Sequence, residues 1–271
     1  MQANLKKAED FLDSISGPVQ PYLPIIARTL LVATFLEDTL RMMTQWEDQV
    51  WYLTHSRRFP WLMAETFLIF NMIAMVVGSS LAIAKRHTEI GVASLFSSVV
   101  VQTFGYGLLF NLSVLFRNFS ITGGLLILLA DSYMTNKKRN FVFAGVPSMN
   151  ETDKTMYLQL FGRILLVGLL FSFVMNGEMN IVRGIVVLFS FISCVLVIVG
   201  FKAKYSAWVL IAFMSIGNVV LNNFWSLHHN DHNRDFIQYD FFQVLSIMGG
   251  FLLFAQTGPG GLSYDEKKKD Y

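Results

Sequence analysis

The chain has 271 residues, of which 54% are hydrophobic and only 15% charged, for a formal net charge of +2. Soluble proteins carry roughly 25% charged residues, so much of this surface is solvated by something other than water, and both intrinsic disorder and an ordinary soluble enzyme are excluded. Cys194 is the single cysteine, which excludes a secreted scaffold held by intrachain disulfides.

Residues 1–21 mix charge and lack the apolar core of a signal peptide, so the first membrane segment is expected to do the targeting. Apolar stretches follow at 22–40, 61–84, 90–111, 116–133, 157–176, 180–200, 205–224 and 239–257. Each is near the roughly 20 residues that a bilayer requires. Arg28 interrupts the first stretch, and Glu37 and Asp38 end it. The one substantial break, within 134–156, is polar and basic and carries Gly145 and Pro147, as expected of a linker between halves. Residues 258–271 form a charged tail. The expected fold is all-α, a polytopic membrane protein of about eight transmembrane helices.

The two halves, 22–133 and 157–257, match each other in two places. Tyr22 to Val32 (YLPIIARTLLV) overlays Tyr157 to Val167 (YLQLFGRILLV) at an offset of 135, arginine included. Ser120 to Leu126 (SITGGLL) overlays Ser246 to Leu252 (SIMGGFL) at an offset of 126. Two blocks in the same order predict tandem four-helix repeats, and an even helix count makes them parallel about an axis along the membrane normal. The paired glycines Gly123-Gly124 and Gly249-Gly250 let backbones approach closely, and their duplication predicts that the halves meet there. Of the loop cations, 13 fall on the side bearing both termini, including all 11 lysines, against six on the other side. That excess puts both termini in the cytosol and leaves the far side net acidic.

Several blocks stand in order along essentially the whole chain: TFLED (Thr34 to Asp38), FAGVP (Phe143 to Pro147), GFKAK (Gly200 to Lys204), YDFFQ (Tyr239 to Gln243), and GPGG followed by DEKKK (Gly258 to Lys269). On these residues the sequence resembles the surfeit locus protein 4 family of endoplasmic-reticulum cargo receptors. The resemblance implies a protein that binds soluble secretory cargo, lipoproteins among it, through its lumenal face. It also implies exit in COPII vesicles, retrieval by COPI, and residence in the endoplasmic reticulum, the intermediate compartment and the early Golgi. Cargo would be chosen by amino-terminal tripeptides of apolar-Pro-apolar pattern. Lys268 and Lys269, fourth and third from the C-terminus, resemble the dilysine signal that COPI reads. COPII recruitment would fall to the FAGVP linker or the N-terminal stretch.

Cargo-contact residues have to be read from chemistry. A freshly processed cargo presents an α-ammonium followed by apolar side chains, which an acidic notch with apolar walls would suit. Glu37 and Asp38 at the far end of the first span, Glu65 in the second and Asp240 in the last are the candidates, the competing reading being an internal ion-pair network with Arg41. Arg28 and Arg163, six residues past their matching tyrosines, either mark a polar pathway, snorkel to headgroups, or pair with a neighbour such as Asp131. The run from His228 to His232 has no defined metal-ligand spacing and reads better as a pH-sensitive loop. There is neither a G-x-x-x-x-G-K-[ST] loop nor an H-E-x-x-H pair. No enzyme activity, cofactor, metal or nucleic-acid partner is expected; membrane lipids are. Without the resemblance, a small-solute transporter or a lipid scramblase fits the same composition.

Overall fold

The computed structural model describes residues 21–141, 149–168, 181–199, 203–227 and 232–258. Among them there is no strand. The helices are α1 (Leu23–Leu31), α2 (Ala33–Thr44), α3 (Trp46–His55), α4 (Trp61–Ala84), α5 (Thr88–Gly105), α6 (Leu112–Phe141), α7 (Met149–Leu166), α8 (Ile181–Val199), α9 (Ala203–Leu221) and α10 (His232–Thr257). Among the described residues four stretches are long and apolar enough to cross a membrane: Trp61–Ala84, Leu112–Thr135, Lys204–Ser226 and Arg234–Thr257. The 24 residues of α4 rise about 36 Å, enough for a hydrocarbon core of about 30 Å. The segment expected as a linker is helical at both of its ends, since α6 runs on to Phe141 and α7 starts at Met149; the FAGVP block between them lies outside the described residues.

Proline starts two helices. Pro24 stands in the first turn of α1 and Pro60 caps α4, positions at which a missing N–H costs the ladder nothing. The first apolar stretch bends at Val32 (φ −92°, ψ 0°) and continues as α2 to Thr44, beyond the expected end at residue 40. The bend has a cause in α10: the Ser246 hydroxyl accepts the Thr34 N–H at 2.9 Å, taking a donor from the helical ladder.

α10 is the centre of the bundle and packs against α1, α2, α6 and α9, while α4 packs with α5 and α6 with α7. Val244, Ile247, Phe251 and Phe254 of α10 are buried with Leu31, Leu125 and Leu166 in one core. Glycines set the closest approaches. A Cβ on Gly249 would stand 2.3 Å from the Leu31 nitrogen and 2.7 Å from the Ala27 carbonyl oxygen. A Cβ on Gly123 would stand 2.6 Å from both the Leu166 nitrogen and the Gly162 carbonyl oxygen. α1 therefore seats on α10 as α7 seats on α6, through positions that correspond in the two internal matches. Gly124 and Gly250 complete the junction, a Cβ on Gly250 falling 3.0 Å from the Gly124 Cα. The outward face is apolar, with Leu62, Ile73, Ile90 and Ile216 exposed, as side chains facing acyl chains would be.

Candidate functional site

At the end of the bundle that carries Glu37 and Asp38, two cavities share a wall. One, of about 600 Å³, lies between α2 and α10 and is lined by Leu36, Glu37, Leu40, Gln238 and Phe242. The other, of about 490 Å³, is lined by Asp38, Gln49, Tyr106, Asn118, Tyr239 and Asp240. Arg41, Gln45 and Asp235 border both. Gln45 sits at the break between α2 and α3, and its Nε2 donates to Asp235 Oδ2 at 2.8 Å. Asp235 is in the first turn of α10, where the helix dipole favours an acid.

The acids of this end are not equivalent. Asp38, 5% exposed, accepts a hydrogen bond from Arg41 Nη2 at 2.6 Å, and the Arg41 guanidinium lies 5.0 Å over the Tyr239 ring. Asp240 pairs with Arg117, whose Nη2 reaches Oδ2 at 3.0 Å and whose Nη1 reaches Gln243 Oε1 at 3.4 Å. Glu37 is as buried as Asp38, yet its one hydrogen bond is from Gln238 Nε2 to Oε1 at 3.3 Å. Its Oε2 is buried with no hydrogen-bond partner among the described residues. Arg41 attracts Glu37 but is hydrogen-bonded to Asp38, so no ion pair of its own offsets the burial of the Glu37 carboxylate, and a further cation would recover that cost. Glu37 thus pairs a vacant oxygen with a cavity wall of Leu36, Leu40 and Phe242.

Of the residues expected at the site, Glu37, Asp38 and Asp240 stand around these joined cavities; Glu65 is half-buried on α4 and borders neither. Lys268 and Lys269 lie outside the described residues, as does the His228 to His232 run as far as its side chains are concerned. Among the described residues no group of three metal-ligating side chains occurs. The contributions of Gln45, Asp235, Gln238 and Tyr239 were not anticipated. The signal was present in α10, where Asp235, Gln238, Tyr239 and Phe242 recur at i, i+3, i+4 and i+7 and so share a face.

The interior arginines are held differently. Arg28, 1% exposed, forms an ion pair with Asp131 and sends Nη1 toward the Ala82 carbonyl oxygen at 3.5 Å. That is the paired arrangement, and it keeps the charge away from lipid. Arg163 is wholly buried; its Nε donates to the Gln159 carbonyl oxygen at 3.4 Å, and its guanidinium stands 6.0 Å from the Phe254 ring centre. In this pose it does not snorkel to solvent.

A chain whose described residues are helical and include several apolar spans, with a lipid-compatible exterior and a charge pair in its interior, is a multi-pass membrane protein. It belongs to the SURF4 family, whose model matches residues 2–271. It is 39% identical over 269 residues to the Surfeit locus protein 4 homolog of Schizosaccharomyces pombe, covering 98% of this chain and 87% of that one. With the Surfeit locus protein 4 homolog of Drosophila melanogaster it shares 38% identity over 98% of this chain and 97% of the relative. With the ER-derived vesicles protein ERV29 of Saccharomyces cerevisiae it shares 37% identity over 93% and 79% of the two chains. No solved structure matches it.

Proposed function

We propose that this protein is a cargo receptor of the early secretory pathway that takes the free amino terminus of soluble cargo at the Glu37 end of the bundle. The observation that carries the reading is the buried, unpartnered Oε2 of Glu37 on a cavity with Leu36, Leu40 and Phe242 in its walls. An α-ammonium supplies the missing cation, and the apolar walls take the first side chains behind it. Asp38 and Asp240, already engaged by Arg41 and Arg117, shape the neighbouring chamber rather than bind the amine. The work is binding, with no bond chemistry.

The relative named for ER-derived vesicles supports a place in that pathway. The proposed architecture is eight spans in two parallel four-helix repeats, 22–133 and 157–257, joined through 134–156. The matching seats of α1 on α10 and α7 on α6 support it. With both termini in the cytosol, the Glu37 end is lumenal, and Lys268 and Lys269 are presented to COPI after exit in COPII vesicles.

The test is binding of short peptides with free apolar-Pro-apolar amino termini to the detergent-solubilised full chain, beside acetylated copies. Saturable binding that acetylation abolishes is expected. Equal binding of both forms would remove the ammonium from the mechanism, and absence of binding would remove the receptor reading itself.

A further inference from the structure

α4 and α5 are joined by Lys85, Arg86 and His87 alone, with Lys85 (φ 56°) and His87 (φ 46°) in the left-handed region, so the chain reverses sharply between two packed helices. The reversal borders an open cavity of about 580 Å³, lined by Lys85, Arg86, His87, Thr88, Glu89 and Ser132. Thr88 and Ser132 are 5% and 8% exposed. Both line the cavity, and no hydrogen bond within the described residues engages either hydroxyl, which opens to the cavity rather than being sealed in the packing. Two such hydroxyls, reaching one space from two different helices, can both donate to a ligand there.

The remaining groups agree on the sign of that ligand. Lys85 and Arg86 are fixed cations and His87 a further donor, against one acid, Glu89. Thr88 opens the 18-residue α5, whose first N–H groups have no helical partner and whose dipole is positive there. Several donors converging from a loop, a helix start and a second helix suit a phosphate monoester, with three free oxygens, better than the two of a carboxylate. Depth identifies the source: α4 is one of the spanning helices and ends at Ala84, and Ile90 beside the cavity is 60% exposed on the outward face. The space is therefore at headgroup level and open to the bilayer.

We propose that this cavity binds a phosphate monoester and that in the membrane its occupant is the monophosphate headgroup of an anionic phospholipid. It lies at the Arg28 end of the bundle, apart from the cavities at the Glu37 end, and stands whether or not those take cargo.

The experiment uses the full chain in a neutral, phosphate-free detergent and measures binding of short-chain phosphatidylinositol monophosphate, free inositol monophosphate, inorganic phosphate and short-chain phosphatidylcholine. The expected order puts the anionic lipid first, about tenfold tighter than either soluble phosphate, with phosphatidylcholine weakest. Lys85→Gln with Arg86→Gln weakens the lipid on the order of tenfold, as expected for two basic groups at an anionic surface. Thr88→Val weakens it while leaving thermal stability unchanged or higher, since it removes an unbonded hydroxyl. Glu89→Gln tightens it several-fold, a gain that misfolding cannot produce. Equal affinity for inorganic phosphate and lipid would overturn the assignment to a headgroup. No saturable phosphate binding, or binding that neither the double substitution nor Glu89→Gln changes, would overturn the site.

Discussion

Gly249 lies so close against Leu31 that a Cβ on it would stand 2.3 Å from the Leu31 backbone nitrogen, and Gly123 meets Leu166 in the same way at 2.6 Å. Backbone cannot yield as a flexible side chain can. In lipid, where helices gain no hydrophobic drive by meeting, such close backbone packing is much of what holds them together.

Gly249→Ala and Gly123→Ala should therefore each destabilise the protein by about 1–3 kcal/mol, the usual cost of overpacking. Gly184→Ala is the control, because a Cβ at Gly184 meets nothing within 4 Å. Inside α8 the alanine should be neutral or stabilising by up to about 1 kcal/mol. Thermal unfolding in detergent reads all three, and equal effects at Gly249 and Gly184 would refute the packing argument.

The Arg28–Asp131 pair makes a different kind of prediction. Removing Asp131 leaves Arg28 buried and unpaired, which typically costs about 3–5 kcal/mol, whereas replacing both with apolar groups is often neutral. Asp131→Leu alone should sharply lower the yield of folded, monodisperse protein, and adding Arg28→Met should restore most of it. If Arg28 instead served a polar pathway, the double variant would fold yet lose function, so yield and peptide binding need to be measured together.

Glu37 and Asp38 are neighbours in sequence and equally buried, but they are predicted to respond oppositely. Glu37→Gln deletes a carboxylate whose burial outweighs the attraction of Arg41 and which makes no ion pair of its own, so stability should hold or rise. Binding of free-amine peptides should fall about tenfold or more, the worth of one charge-assisted hydrogen bond. Asp38→Asn strips the partner from a largely buried Arg41, so it should lower thermal stability first. Loss of peptide binding in Asp38→Asn without loss of stability would reverse these roles.

How much of this was legible in the sequence follows from what sets each feature. The four stretches long and apolar enough to cross a membrane were legible because lipid leaves backbone polar groups no partner outside the helix, whereas α3 corresponds to none of the expected spans. The meeting of the two glycine pairs was legible from their duplication, and Asp131 was nameable as an Arg28 partner because an interior arginine needs an acid. The bend at Val32 was not, because its cause, the Ser246 hydroxyl, lies 212 residues from Thr34. The difference between Glu37 and Asp38 was also hidden. Both acids lie within reach of Arg41 along a helix, and only the packing of Gln238 and Tyr239 from α10 decides which of them keeps a vacant oxygen. Glu65 shows the converse, since sequence gives its depth but not the face on which α4 presents it.

The orientation on which the receptor reading depends can be checked with the chain's own composition. Cys194 is the single cysteine and is 4% exposed, so the native protein should be nearly silent to a membrane-impermeant maleimide. Cysteines placed at exposed positions then report each side separately. Lys154, on α7, belongs to the lysine-rich side; Glu47, in the first turn of α3, belongs to the acidic side. In sealed endoplasmic-reticulum vesicles, Lys154→Cys should label at once and Glu47→Cys only after the membrane is permeabilised. The reverse order would put the Glu37 cavities in the cytosol, where no newly processed amino terminus could reach them. It would also hide Lys268 and Lys269 from the coat, so this one pattern of labelling would remove both halves of the proposed cycle.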